Sequence, residues 1–515
     1  MVVTNHVLVV AVRNTKSVVV NDMRCVTISR PAGVFFAVAI FSGLISALSF
    51  DFSGGWFFVW FSLVPLLWII DTAPFKVSFV GSLIFGFVFH VAVIFWVTRV
   101  TVPGAIVLFI YLTLYGGLFC ILGRYFLKRP FALVTVPAAW VLLEFLQENI
   151  WCGFGWANLG YSQYQNLWLV QPADIFGVKC VSFLIVMANV LMYERMRSRI
   201  RFRRALPVVC VIIFSCCLYS AFRRATPGTV RPLDVTVVQP NITEEYKWDE
   251  GLQAQAIRKL RHLSAQSSAS SLVIYPEAAW PRVVDEKNFK ELESFIQASG
   301  RYSLIGAVAK RRNAFYNTAL FFDARGRLLD SYDKIRLVPF GEYIPWRRFL
   351  GFISAINSLG DLTRGTRETI FNYRGARFSV LICFEDVLPV FAARFASGND
   401  FLVNITNDDW FGGQPQARQH YGIMIFRAIE NRIPIVRAAN TGVSGWVTCR
   451  GEVEVLKKSG REILIDGTQM FTILLKRQRS FYTAFPELFP FLCGIGLLIV
   501  LARLNTGSHR AKKEG

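Results

Sequence analysis

Acidic residues are scarce in this chain: 35 Asp and Glu stand against 56 Lys and Arg in 515 residues, and charged residues make up only 18%. A chain solvated on all sides needs more charge, so an ordinary water-soluble enzyme is excluded. Histidine is scarcer still. The five present, His6, His90, His262, His420 and His509, show no ligand spacing, so neither a metal nor a cofactor is implied. Cysteine is nearly missing from the polar part of the chain, where only Cys383 and Cys449 of the ten fall, which leaves little for a disulfide framework. Internal repeats and low-complexity tracts are absent. So is a signal-peptide core, because Val7–Val12 is too short and is followed by Arg13 and Lys16.

What the chain has in abundance is apolar: 53% hydrophobic and 15% aromatic residues, with a mean hydropathy of +0.41. Eight windows approach the length that a hydrocarbon core requires. They are Gly33–Phe50, Trp56–Ile70, Val77–Val97, Ala105–Leu127, Phe131–Leu146, Phe176–Tyr193, Leu206–Phe222 and Leu488–Leu504. The shorter second and fifth read equally well as buried core helices. From Arg223 to Pro486 charge returns at normal density. The expected organisation is therefore an N-terminal arm (1–32), a seven-span helical bundle (33–222), a soluble domain (223–486), a C-terminal span (487–505) and a basic tail (506–515).

The formal charge of +21 invites a nucleic-acid reading, but its location argues against one. Arg195, Arg197, Arg199, Arg201, Arg203 and Arg204 lie between the sixth and seventh windows, and Arg124, Lys128 and Arg129 close the fourth. The positive-inside rule makes these loops cytoplasmic. Alternation then puts both termini in the cytoplasm and the soluble domain across the membrane, which in a bacterium with two membranes is the periplasmic side of the inner membrane. The loops assigned outside contain only Arg99 as a basic residue.

Within the soluble domain, short β-branched runs recur at Leu233–Val238, Leu272–Tyr275, Ser303–Val308, Thr318–Phe322, Phe378–Ile382, Phe401–Ile405, Ile433–Val436 and Val443–Val447. Helical stretches at Asp249–Ser267, Asp285–Ser299, Leu388–Ala396 and Pro415–Asn431 lie between several of them, so the domain is layered α/β. Polar residues gather where the strands end. Glu277 follows the second, Cys383 the fifth and Asn404–Trp410 the sixth, and strand carboxyl ends are where such sheets bind ligands.

Cys383 sits where the apolar run Phe-Ser-Val-Leu-Ile meets Phe384, Glu385 and Asp386 and then a helix, whose positive end favours thiolate. A buried structural thiol, or a disulfide with Cys449, explains the same position. Glu277 in Tyr-Pro-Glu-Ala-Ala-Trp-Pro and Lys334 in Tyr-Asp-Lys-Ile-Arg-Leu-Val-Pro-Phe-Gly-Glu-Tyr complete a set that isolated residues would not form.

These three segments resemble the Glu-Lys-Cys motifs of the nitrilase superfamily, whose fold is an αββα sandwich. From about Gly33 onward the chain looks like the apolipoprotein N-acyltransferase family, which joins such a domain to a bundle of membrane spans. Trp248 in Tyr-Lys-Trp-Asp, Glu342 after Val-Pro-Phe-Gly, Glu385, and Asn407, Asp409 and Trp410 in Asn-Asp-Asp-Trp-Phe-Gly also match that family's motifs, as does Gly160-Tyr161-Ser162-Gln163. Phe384 departs from them, standing where tyrosine is expected, which removes any hydroxyl role there.

The resemblance implies Cys383 as nucleophile, Glu277 as general base and Lys334 as stabiliser of the tetrahedral intermediate. It also implies a membrane phospholipid as acyl donor and the N-terminal S-diacylglyceryl-cysteine of apolipoproteins as acceptor. Trp248, Glu342, Phe384, Glu385, Asn407, Asp409 and Trp410 would bind substrate or support the triad. Aromatic groups on outer segments, Trp151, Phe154, Trp156, Trp168, Trp346 and Phe349, suit either a membrane interface or core packing. Two other readings stay open: a membrane-tethered nitrilase-type amidase with water as acceptor, and a transporter using His90, Glu144 and Lys179 inside its spans.

Overall fold

The computed structural model describes residues 31–50, 54–151, 153–225, 230–243, 249–268, 271–343, 361–412, 414–475 and 480–511. Among them, the soluble segment forms twelve strands. These are β1 Arg231–Gln239, β2 Leu272–Ile274, β3 Ser303–Arg311, β4 Ala314–Phe322, β5 Leu328–Asp333, β6 Phe371–Tyr373, β7 Ala376–Ile382, β8 Phe401–Thr406, β9 Ile435–Ala439, β10 Gly445–Val447, β11 Val453–Val455 and β12 Gly467–Leu475. They build two six-stranded sheets, ordered β12-β1-β2-β3-β4-β5 and β11-β10-β9-β8-β7-β6.

Each sheet has three parallel central strands, β1-β2-β3 or β7-β8-β9, with antiparallel strands on both sides. The architecture repeats although the sequence does not. Parallel neighbours need crossover helices, supplied by Glu250–Ala265 and Phe289–Ser299 on one sheet and by Pro389–Ala396 and Gln414–Asn431 on the other. The helices therefore cover the outer faces, and the inner faces meet in the core. Leu233, Val235 and Val237 of β1 point to that inner core while Val238 packs under the outer helices, the period-two alternation of a strand buried on both sides. Phe321 of β4 contacts Phe371 and Phe378 of the opposite sheet at ring distances of 5.6 and 5.5 Å. This is the expected αββα layering. Strands β5, β6, β11 and β12 were not anticipated, because flanking strands are placed by pairing with neighbours more than by their own hydrophobicity. Strand β9 begins two residues later than expected and runs through Arg437, and β10 also begins two residues late.

Four helical stretches are long and apolar enough to cross a membrane by length and composition: Gly55–Thr72, Phe75–Arg99, Val102–Leu127 and Arg199–Ala225. The first and last expected windows form the shorter apolar helices Ala32–Leu48 and Leu488–Leu504. The fifth and sixth form Ala132–Asn149 and Val178–Arg197, which bury Glu144, Gln147 and Glu148, and Lys179, Asn189 and Glu194. These polar groups are interlocked: Lys179 pairs with Glu148, the Leu159 N–H donates to Glu144, and His90 Nδ1 lies 2.7 Å from the Gly86 carbonyl. They brace the helices and the 158–163 turn.

The helix Gln414–Asn431 lies between the second sheet and the bundle and locks one to the other. Arg427 donates to the Tyr161 hydroxyl at 3.1 Å and pairs with Glu430, which accepts the Val178 N–H at 2.8 Å. Just beyond the helix, Arg432 donates to Asp174 at 2.8 Å and to Gln171 at 2.6 Å. All four charged side chains, Arg427, Glu430, Arg432 and Asp174, are buried, and every one is paired, as burial of charge requires. The site at the sheet ends is thereby held in a fixed place against the outer end of the bundle.

Candidate active site

Glu277 lies just beyond β2, where residues 276–280 wrap over Gly306 of β3. The Gly306 N–H donates to the Pro276 carbonyl at 3.2 Å, the Trp280 N–H donates to the Gly306 carbonyl at 3.0 Å, and Ala278 is in the left-handed region at φ +47. The close approach demands glycine. A Cβ on Gly306 would sit 2.4 Å from the Pro276 oxygen and 2.7 Å from the Glu277 Cα. Gly306→Ala is therefore expected to leave the fold intact by circular dichroism yet lower turnover roughly 100-fold, since small misplacements of a reacting group cost that much. An unchanged rate would show that Glu277 need not sit where it does.

Lys334 extends β5, its N–H donating to the Asn317 carbonyl at 2.8 Å. Its ammonium, 1% exposed, lies 3.3 Å from Glu277 Oε1 and 2.9 Å from Glu342 Oε1. The Asn317 amide of β4 donates to the same two oxygens at 2.7 and 2.9 Å. The second oxygen of Glu277 accepts the Asn407 N–H at 2.8 Å, and that of Glu342 accepts the Val338 N–H at 2.8 Å. Burial alone would lower the Lys334 pKa, but Glu277, Glu342 and Cys383 together hold it well above its ordinary value. The lysine is a fixed cation.

Cys383 is buried at the end of β7 with φ +52, a strained conformation for a residue bearing a Cβ, costing roughly 1–3 kcal/mol. It opens the 3-10 turn Cys383–Val387, and the α-helix starts only at Pro389. The expectation of a helix end favouring thiolate is thus corrected. Burial pushes the thiol pKa well above its ordinary value and Glu277 pushes it further, while Lys334 and a hydrogen bond with Thr406 oppose them. The balance favours the protonated thiol, and Glu277 is within electrostatic reach of it. No disulfide joins Cys383 to Cys449.

Glu385 is the strap between these parts. One carboxylate oxygen accepts the Ile335 and Arg336 N–H groups at 2.8 and 2.9 Å and the Tyr332 hydroxyl at 2.8 Å; the other accepts the Ile382 N–H at 2.8 Å. It ties the segment after Lys334 to the residue before Cys383. Burial raises its pKa to about 7, against the pull of the backbone donors. Glu385→Gln would set an amide N–H against one of those donors, and is expected to cost about 1–3 kcal/mol of stability in a denaturant titration. Turnover should fall with it.

Asn407 contributes its N–H to Glu277, and its side-chain oxygen accepts from the Asp409 N–H at 3.3 Å and the Asn440 amide at 2.9 Å. Asp409 so closes the turn Asp408–Phe411. Trp248 and the side chain of Trp410 lie outside the described residues. Behind Cys383 runs a buried network that sequence reasoning missed. Arg437 donates to Asn404 at 2.8 Å and reaches Asp386, Asp408 and His420, while His420 Nε2 lies 2.6 Å from Asp386. The Asn404 amide donates to the Cys383 carbonyl at 3.2 Å. Burial would raise the Asp408 pKa, but Arg437 and His420 hold it well below the carboxylate range. The signal for these residues was a charged side chain inside apolar strands and helices, notably Arg437 in β9; for Asn317 it was a polar amide inside the apolar strand β4.

Cys383 and Phe384 line an apolar cavity with about 830 Å³ of empty space, part of it open to the exterior. Its other walls come from the bundle (Trp96, Val97, Val100, Gly104, Leu108), from Trp151, Phe154 and Trp156, and from Val338, Pro339 and Phe340 beyond Lys334. Phe384 stacks on Trp156 with the rings 6.5 Å apart and 7° from parallel, and Gln419 accepts from both the Trp96 and Trp156 indoles at 3.1 and 2.8 Å. The departure at Phe384 thus puts a ring on an apolar wall. Trp168 stands away from the cavity and is exposed.

Residues 42–191 match the family described as the apolipoprotein N-acyltransferase N-terminal domain, and residues 234–466 match the carbon-nitrogen hydrolase family. The chain is 31% identical over 496 residues to the apolipoprotein N-acyltransferase of Geobacter metallireducens, covering 91% of this chain and 94% of that one. It is 28% identical over 526 residues to that of Chlorobaculum tepidum, covering 91% and 96%. Among solved structures, an amidase from Nesterenkonia sp. is similar at 16% identity and a TM-score of 0.37, over 49% of this chain and 92% of that one.

Proposed function

The chain belongs to the apolipoprotein N-acyltransferase family, and on that premise we propose that Cys383 carries an acyl group from a membrane phospholipid to the α-amine of an S-diacylglyceryl-cysteine. The observation that carries this reading is the apolar cavity, which runs from the bundle to the sulfur and suits a fatty chain whose ester carbonyl reaches Cys383.

In the first half-reaction Glu277 takes the Cys383 proton as sulfur attacks the sn-1 ester carbon. The carbon–sulfur bond forms and the carbon–oxygen bond breaks. The proton passes from Glu277 to the departing lysophospholipid oxygen, leaving a thioester. In the second half the amine attacks that thioester, its nitrogen gives a proton to Glu277, and the sulfur leaves and recovers the proton. Lys334 holds positive charge beside the oxyanion in both halves, a contribution of roughly 3–4 kcal/mol per donor where such donors have been removed. Glu342 and Asn317 orient Lys334 and Glu277, and Glu385 sets the distance between the lysine segment and the cysteine turn. Phe384 and Trp156 wall the acyl path.

The four long apolar helices, with the basic loops near Arg124 and Arg195–Arg204, support a multi-pass inner-membrane protein with both termini cytoplasmic and residues 223–486 periplasmic. The remaining apolar helices would complete the bundle. The test is mass spectrometry of the purified protein after incubation with phospholipid. A thioester-linked acyl adduct on Cys383 that disappears when a diacylglyceryl-cysteine peptide is added is the expected result. Repeated absence of the adduct in folded protein sinks the reading, and transfer to water with the peptide ignored would favour the amidase alternative.

A further inference from the structure

Beside the acyl cavity lies a second pocket that shares Trp151, Pro339 and Phe384 with it but is polar, with about 1190 Å³ of empty space, part of it open to the exterior. Its cations are Arg336, Arg364 and Arg394. Arg394 pairs with Glu368, whereas Arg336 and Arg364 have no carboxylate partner among the described residues. Both are instead held over aromatic rings, Arg336 5.7 Å from the centre of Phe391 and Arg364 4.9 Å from that of Tyr343. A ring face orients a guanidinium without cancelling its charge. Two carboxylates also line the pocket: Glu148, which is neutralised by Lys179, and Glu487. The balance is cationic.

The placement of Arg336 is fixed by the machinery itself, because its backbone N–H is one of the donors to Glu385. A planar guanidinium presents paired donors that match the oxygens of a phosphate diester. In a phospholipid with its ester carbonyl at Cys383, the glycerol backbone alone separates that carbonyl from the phosphate. We propose that Arg336 and Arg364 form a phosphodiester site that receives the head group of the acyl donor while its chain occupies the apolar cavity. This assignment rests on the acyl-transfer reading of Cys383.

The test measures the rate of acyl-adduct formation on Cys383 from phosphatidylglycerol and from diacylglycerol bearing the same chains, in the same detergent micelles. The wild-type protein is expected to prefer the phosphate-bearing donor by more than tenfold, and Arg336→Ala/Arg364→Ala to bring that preference near unity. Arg336→Lys/Arg364→Lys should restore part of it. Arg364→Ala alone, with an exposed side chain, carries the comparison if the double variant does not fold, and should lower the preference severalfold. A preference unchanged in these variants, or none in the wild type, overturns the proposal and leaves acyl transfer standing. No adduct from either donor overturns acyl transfer and the phosphodiester site together. Inhibition by millimolar inorganic phosphate that the double variant abolishes, with donor preference intact, would assign the site to free phosphate and also overturn it.

Discussion

Lys334→Met is expected to lower adduct formation on Cys383 roughly 1000-fold and to destabilise the protein by about 3–5 kcal/mol. The two effects share one cause. The Lys334 ammonium is the cation that touches both Glu277 and Glu342, and those carboxylates share the Asn317 amide as well. Methionine fills a similar volume but leaves two buried acids facing each other with one neutral donor between them, and a buried charge that loses its partner is far more costly than the pair was beneficial. Intact-mass kinetics reads the first effect and denaturant unfolding in detergent the second. If the variant forms adduct at the wild-type rate, Lys334 is a structural ion and the oxyanion role assigned to it fails.

Cys383→Ala should separate the two effects: turnover falls roughly 10⁴- to 10⁶-fold, the scale on which loss of a nucleophile is felt elsewhere, while stability changes by less than about 1 kcal/mol. Removing one buried sulfur leaves a small void, and the strained φ of +52 persists because alanine keeps the Cβ. Cys383→Gly relieves that strain and is expected to unfold no earlier than Cys383→Ala, since glycine adopts this backbone freely. The pair separates a residue held in strain for chemistry from one held for packing. Complementation of a strain lacking its own N-acyltransferase gives the cellular readout, and rescue by Cys383→Ala would refute the nucleophile.

Much of the fold was legible because its central strands are continuous apolar runs and its crossover helices are long and periodic. Glu277 and Cys383 were legible as polar residues just past such runs. What could not be read was which polar residues meet. Glu385, two positions after the thiol, carries no mark of the four donors it gathers from residues 332 to 382. Asn317 reads as an interruption in an aromatic strand, yet it bridges both glutamates. The expected helix end is missing for a related reason: a turn of 3-10 geometry stands in its place, and burial, equally invisible in the sequence, opposes charge on the sulfur.

By itself, the sequence determined the division of the chain into apolar helices and a charged α/β domain, and the kinship of its motifs, because hydropathy and spacing are local properties. The tertiary structure alone decided the flanking strands, the buried Asp386-Asp408-His420-Arg437 network, and the apolar cavity that Cys383 shares with Trp96, Gly104 and Leu108 of the bundle. The network joins residues up to 51 positions apart and the cavity joins segments hundreds apart, and there burial strips away water and leaves each polar group to be satisfied by whatever partner the fold delivers.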